Sequence, residues 1–323
     1  MRGTPRKMPE VTRRIRGATV PGGCNLPIAF ALPIAFAIIA PLAGAQSSPS
    51  HGNMPLVDYA QAQSFPAAPF EPQFEKRLAA VSRELERHPP PPGNECAHTL
   101  GASRFAELYE DLATARSALA DSAGAVQAYE SALKCTPRAV SLHAALASEW
   151  LSLGDHARAR AAAGRGHAIS HDNAAIVAVL IQLDFIDERW AEVVARLRAA
   201  IAVEKDEQRA TYWRCFLWLA QRRAGAREPE LASFTPIESW PQPILDELQG
   251  MITEEELLGA VKNEGDEHRR REILDEALFY IGEQWLANGE SATARLYFAS
   301  VVNLKVIYFI EHHLARGEIQ KLR

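Results

Sequence analysis

The chain has 323 residues, 47% of them hydrophobic and 23% charged, with 35 Lys and Arg against 40 Asp and Glu for a formal charge of −5. This composition belongs to ordinary globular proteins and excludes both a wholly disordered chain and a membrane bundle. The acidic balance argues against nucleic acid as a partner, because neutralising phosphates needs a basic face; the densest basic cluster, Arg269, Arg270 and Arg271, is interleaved with Glu264, Asp266, Glu267 and Glu272 and reads as a solvated helix face.

The first 45 residues read as a signal peptide. Arg2, Arg6, Lys7, Arg13, Arg14 and Arg16 precede an apolar run from Leu26 to Leu42, which ends in the small-x-small sequence Ala43-Gly44-Ala45. Cleavage is expected after Ala45, giving a periplasmic or secreted protein. An uncleaved membrane anchor is the less favoured reading, because Pro27, Pro33 and Pro41 interrupt the run. Cleavage would remove six basic side chains and one acidic one, leaving a formal charge of −10.

Residues 46–73, rich in Pro, Ser, Gln and Ala, are expected to be a flexible linker. Residues 74–105 are assigned to N-terminal helices. The first runs from Phe74 to Arg87, with Phe74, Leu78, Val81 and Leu85 at helical spacing, and is stopped by the prolines from Pro89 to Pro92.

Beyond this a 34-residue period appears. The unit 106–139 carries Tyr109, Leu112 and Ala113 on a first helix, then Ala125, Tyr129, Ala132 and Pro137. The unit 140–173 repeats the pattern with Leu146, Ala147, Trp150, Gly154, Ala159, Ala163 and Gly166; 174–207 keeps Leu180, Leu197 and Ala200 but has Ile181 where the small crossing residue would stand. Small residues let two antiparallel helices cross closely, large apolar ones fill the groove to the next pair, and a glycine turn is expected to end each first helix. A degenerate fourth unit, with Trp213, Leu217, Trp218 and Gly225, completes a repeat region of 106–232. Residues 233–323 form a C-terminal helical region, in which Leu278, Ile281, Gly282, Trp285, Gly289, Ala294, Phe298 and Val301 spell a final unit before a terminal helix.

These residues resemble the tetratricopeptide repeat. The fold class expected is therefore all-α, a superhelix of antiparallel helix pairs with a concave inner surface. The stretch from Trp240 onward is similar to the new-lipoprotein-I family of bacterial envelope proteins, on Ile244-Leu245, Gly250-Met251-Ile252-Thr253-Glu254, Phe279-Tyr280-Ile281-Gly282, Trp285-Leu286-Ala287-Asn288-Gly289 and Phe309-Ile310-Glu311. That resemblance implies a non-catalytic adaptor that recruits an envelope protease and its cell-wall hydrolase substrates. The family's lipidated cysteine has no counterpart here, since Cys24 precedes the apolar run.

No catalytic residue, cofactor, metal site or small-molecule substrate is expected. His167 and His171 are spaced as two metal ligands would be, yet the HExxH signature is missing, and helix-end histidines explain them. His312-His313 is read as the polar outer face of the terminal helix. Glu254, Glu255 and Glu256 follow Thr253 as the acidic first turn of a capped helix. The tryptophans are assigned to the core, with Trp218 and Phe185 as possible groove residues. Of the later cysteines, Cys96 and Cys135 fall at the same edge of a helix pair, so a bridge between them is open; three free buried cysteines is the preferred reading.

Side chains expected to line a protein-binding groove are Glu107, Glu110, Thr114, Ser148, Gln182 and Glu283. Their acidity disfavours a clamp for a C-terminal carboxylate and suits an apolar or basic peptide. The rival reading is a structural repeat component, homodimeric or part of an outer-membrane or polysaccharide-export assembly, with Val306, Ile307, Phe309 and Ile310 as either core or interface.

Overall fold

The computed structural model describes residues 71–89, 96 and 101–322, so the leader and most of the linker lie outside the described residues. Among the described residues there are thirteen helices and no strand: α1 (Glu71–Arg87), α2 (Ala102–Ala118), α3 (Ser122–Cys135), α4 (Val140–Ser152), α5 (His156–Ile169), α6 (Ala174–Ile186), α7 (Trp190–Val203), α8 (Glu207–Arg223), α9 (Gln242–Leu248), α10 (Glu254–Lys262), α11 (Glu267–Ala287), α12 (Ser291–Leu304) and α13 (Ile310–Lys321). The protein is all-α. Residues 71–73, assigned to the linker from sequence, instead open α1, where Pro72 sits in a first turn that needs no backbone donor.

From α1 to α8 each helix packs chiefly on its neighbours in sequence, the contact pattern of stacked hairpins, in which one pair cannot bury its apolar face alone. Sequence signals set the ends. Asp121, Asp155, Asn173, Asp206 and Asp266 each accept a hydrogen bond from a first-turn backbone N–H, and Thr253 with Glu256 forms a reciprocal capping box. The small residues mark the crossings: Ala113, Ala125, Ala132, Ala147 and Ala159 are fully buried. In the third unit Ile181 and Val193 take the corresponding places and are buried too.

The turns after the first helices depart from expectation. Gly154 and Gly289 adopt left-handed backbone, φ 76° and 87°, but the equivalent residues of the first and third units are Ala120 at φ 61° and Glu188 at φ 57°. Ala120, Gly154 and Glu188 keep the repeat interval, so the period dictates the conformation even where glycine does not supply it.

Two further corrections concern packing. Cys96 and Cys135 form a disulfide, with Cα atoms 4.6 Å apart, and Cys215 is free and buried. The hairpin brings the segment before α2 back to the end of α3, which is the geometry a bridge needs. Arg271 is buried rather than part of a solvated face, because α11 is covered along much of its length.

After α8 the stack is interrupted. Residues 224–241 contain no helix and run back along α8 as a strap. Gln221 bonds both the N–H and the C=O of Glu230, the Arg214 guanidinium lies 4.4 Å from the centre of the Phe234 ring, and Gln208 donates to the Trp240 carbonyl. α9 and α10 then lead into the long hairpin of α11 and α12. Val306 and Phe309 are core, Ile310 is half-buried and Ile307 exposed. α13 turns back over α11 and α12 and reaches α6, so the final helix lies across first helices of several pairs.

Candidate functional site

The side chains expected to line a groove divide into two groups. Glu107, Glu110, Thr114 and Ser148, on α2 and α4, keep at least part of their surface in solvent. Glu107 is exposed and 3.9 Å from Arg104. Glu110 is half-buried, and burial followed by the nearby charges of Asp111 and Glu107 pushes its carboxyl up. Thr114 Oγ1 donates to the Glu110 carbonyl at 2.8 Å, one turn before it on the same face. Ser117, a further turn along, donates to buried Glu149 at 2.5 Å and ties α2 to α4. Ser148 is bonded to the Ala144 carbonyl, and its own carbonyl accepts from Ser152 at 3.1 Å.

Gln182 and Glu283 do not belong to that open face. Gln182 is 5% exposed and turns back onto the Ala178 carbonyl; Glu283 is fully buried. Glu283 lies under α13, sharing Arg223 with Glu318, and Gln182 sits on α6, one of the helices that α13 packs on. Trp218 and Phe185, considered as groove residues from sequence, are buried as well.

The seam under α13 centres on Arg223 at the end of α8. Its Nη1 donates to Glu283 of α11 at 2.6 Å, and Nη2 lies 3.5 Å from Glu318 of α13 and 3.6 Å from Glu188 of the turn after α6. The guanidinium also covers the Trp190 ring at 4.9 Å. Lys321 of α13 bridges Glu188 at 3.1 Å and Glu318 at 3.0 Å. At the other side His313 Nε2 is 3.4 Å from Ser152 Oγ, and Arg316 donates to the Ser152 carbonyl at 3.1 Å. Sequence reading missed these residues. Glu318 and Lys321, one helical turn apart, carried a signal of paired charge, but nothing in one sequence says which element such a pair faces.

The first turns of α13 lie over a buried acidic cluster. Glu276 accepts from Tyr212 at 3.0 Å and from the Trp240 indole N–H, Tyr280 donates to Glu311 at 3.5 Å, and neither Asp275 oxygen has a hydrogen-bond partner. Desolvation pushes Glu276 up to about 8 and Glu311 to about 7. These groups are at most 5% exposed, so no solute reaches them in this conformation. His312 is buried here, not on an outer face, and burial pushes its imidazole down to about 4.

Elsewhere, Asp184 is fully buried and bonded by Arg160 of α5, Arg196 of α7 and Arg189 between them, a polar tie between neighbouring pairs. A cavity of about 390 Å³ opens between α3 and α5 beside Trp150 and Leu153, with Arg158 4.5 Å from the Trp150 ring. His167 and His171 stack edge to face at 4.7 Å, and no group of three His, Cys, Asp or Glu suited to a metal ion occurs among the described residues. No described helix is long and apolar enough to cross a membrane. No protein-family model matches this sequence, and no curated protein shows significant similarity to it.

Proposed function

We propose that the protein is a non-catalytic scaffold of tetratricopeptide type that binds other proteins on the face shared by its first helices. The observation that carries this reading is the placement of α13: the chain's own helix is seated across α4, α6, α8 and α11, which is how a peptide ligand engages the inner surface of a helical-repeat array. The stretch of that face on α2 and α4 is uncovered and carries Glu107, Glu110, Thr114 and Ser148, so a basic or apolar segment suits it by charge. With the exported leader expected from the sequence, the setting is the bacterial periplasm, and the role is an adaptor that raises the effective concentration of two envelope proteins, a protease and a cell-wall hydrolase being the pair implied by the family resemblance.

The test is affinity capture from envelope extracts with the wild-type chain, a Glu107→Ala/Glu110→Ala/Ser148→Ala variant and a tag-only control. Retention of the same envelope proteins by wild type and by the variant would remove this face from the reading. Recovery of the chain alone would favour the homo-oligomeric alternative.

A further inference from the structure

α13 is not uniformly anchored. From Ile310 to Ala315 it buries Glu311, His312, Leu314 and Ala315. Beyond Arg316 only Glu318 is buried; Gly317, Ile319 and Leu322 are half-buried, and Gln320 and Lys321 are exposed. Gly317 stands at the change, inside the helix, where it costs about 1 kcal/mol relative to alanine. A Cβ at Gly317 would meet nothing nearer than Ile186 Cγ1 at 4.0 Å, so no close packing calls for glycine. These last turns are held by two ionic contacts, Glu318 on Arg223 and Lys321 on Glu188, and by the half-buried Ile319 and Leu322, which pack on the core.

The surface beneath is built. Arg223 is 12% exposed at its side chain, seated on Trp190 and fixed through Nη1 by Glu283, while Nη2 is the edge turned to Glu188 and Glu318. Ile186, 4.0 Å from a Cβ placed at Gly317, supplies an apolar floor under the flap. If the last turns lift, Glu283 and Glu188 stay beside Arg223 and only the place of Glu318 on Nη2 is vacated, to be refilled by a carboxylate.

We propose that residues Gly317–Leu322 are a detachable flap, and that the surface they cover, centred on Arg223 and Glu188, docks a partner segment bringing a carboxylate, an adjacent aliphatic side chain and a basic one in place of Glu318, Ile319 and Lys321. The inference rests on reading the array as a protein-binding scaffold and names a second docking face on it, distinct from the open stretch of α2 and α4. The flap lowers affinity in the free chain by the fraction of time it is closed.

The experiment uses the full chain and a synthetic peptide of residues 317–322 as probe. In the wild-type chain the amides of 317–322 should exchange at least about tenfold faster than those of α8 and α11. Glu318→Lys places like charge against Arg223, and this chain should bind the free peptide at least about tenfold more tightly than wild type does. Adding Arg223→Gln should abolish that gain. Gly317→Ala, which keeps every contact, should slow flap exchange roughly fivefold through helix propensity and weaken peptide uptake. Equal exchange of the flap and α8, or a folded Glu318→Lys chain that takes up no peptide, overturns the proposal. Should that variant lose its helical circular dichroism, the wild-type and Gly317→Ala measurements decide it. The difference in capture between wild type and the Glu107→Ala/Glu110→Ala/Ser148→Ala variant reads α2 and α4 alone, so either reading can fail without the other.

Discussion

Gly282 and Phe298 meet where α11 crosses α12: a Cβ on Gly282 would fall 2.8 Å from Phe298 Cε1 and 3.1 Å from Tyr297 Cβ. Phe298 is fully buried and touches Phe279, so the ring has nowhere to retreat. Gly282→Ala is therefore expected to destabilise the protein by about 1–2 kcal/mol, overpacking outweighing the better helix propensity of alanine. Urea unfolding followed by circular dichroism should show a lower midpoint with unchanged slope; an unchanged midpoint would mean the helices separate at no cost.

Ala120 sits at φ 61° with no glycine to relieve it. Ala120→Gly should raise stability by up to about 1 kcal/mol, and Gly154→Ala, at φ 76° with open space around the added Cβ, should lower it by about 1–2 kcal/mol. Opposite signs in thermal unfolding are the expected result. A loss in both would show that contacts and not backbone conformation govern these turns.

Three buried carboxyls and the half-buried Glu247 predict a pH dependence. Glu247, Glu276, Glu283 and Glu311 are pushed up by desolvation to about 7, about 8, about 7 and about 7. Each holds its proton more tightly folded than unfolded, so its contribution is fully present below the unfolded carboxyl range and is lost as pH rises through 7 to 8. His312 and His313, pushed down to about 4 and about 3, act in the opposite sense, but only below about 6.5. Melting temperature should thus fall between pH 6.5 and 8.5, and Glu276→Gln should flatten that slope. A flat wild-type profile would show that these carboxyls reach water.

The Cys96–Cys135 bridge joins residues 39 apart in sequence. Closing a loop of that size restricts the unfolded chain, and Cys135→Ser is expected to cost about 2–4 kcal/mol, with the wild type losing as much in reductant. If reductant leaves the wild-type melting temperature unchanged, the thiols are not joined in solution.

Local signals explain what the sequence makes legible. The spacing of Ala113, Ala125 and Ala132, and the caps at Asp121 and Asp155, place helices because they act within a few residues or across one crossing. The open candidate residues Glu107, Glu110, Thr114 and Ser148 follow from the same periodicity. Gln182 and Glu283 show its limit: a repeat tells which way a side chain faces, but not that α13, more than a hundred residues after Gln182, covers that face. The strap after α8 is legible only as a break, since Gln221, Arg214 and Gln208 hold it through pairings without a period.

The contacts of α13 with Ser152 span 161 and 164 residues, and that of Lys321 with Glu188 spans 133, in a chain whose other helices mostly meet their immediate successors. Contacts between helices adjacent in sequence form quickly, whereas bringing distant segments together carries a loop-closure entropy and comes late. The clasp of α13 on Ser152 and Glu188 thus converts a row of stacked hairpins into a ring of contacts, in which loss of the middle pairs also strips the last helix of its seat.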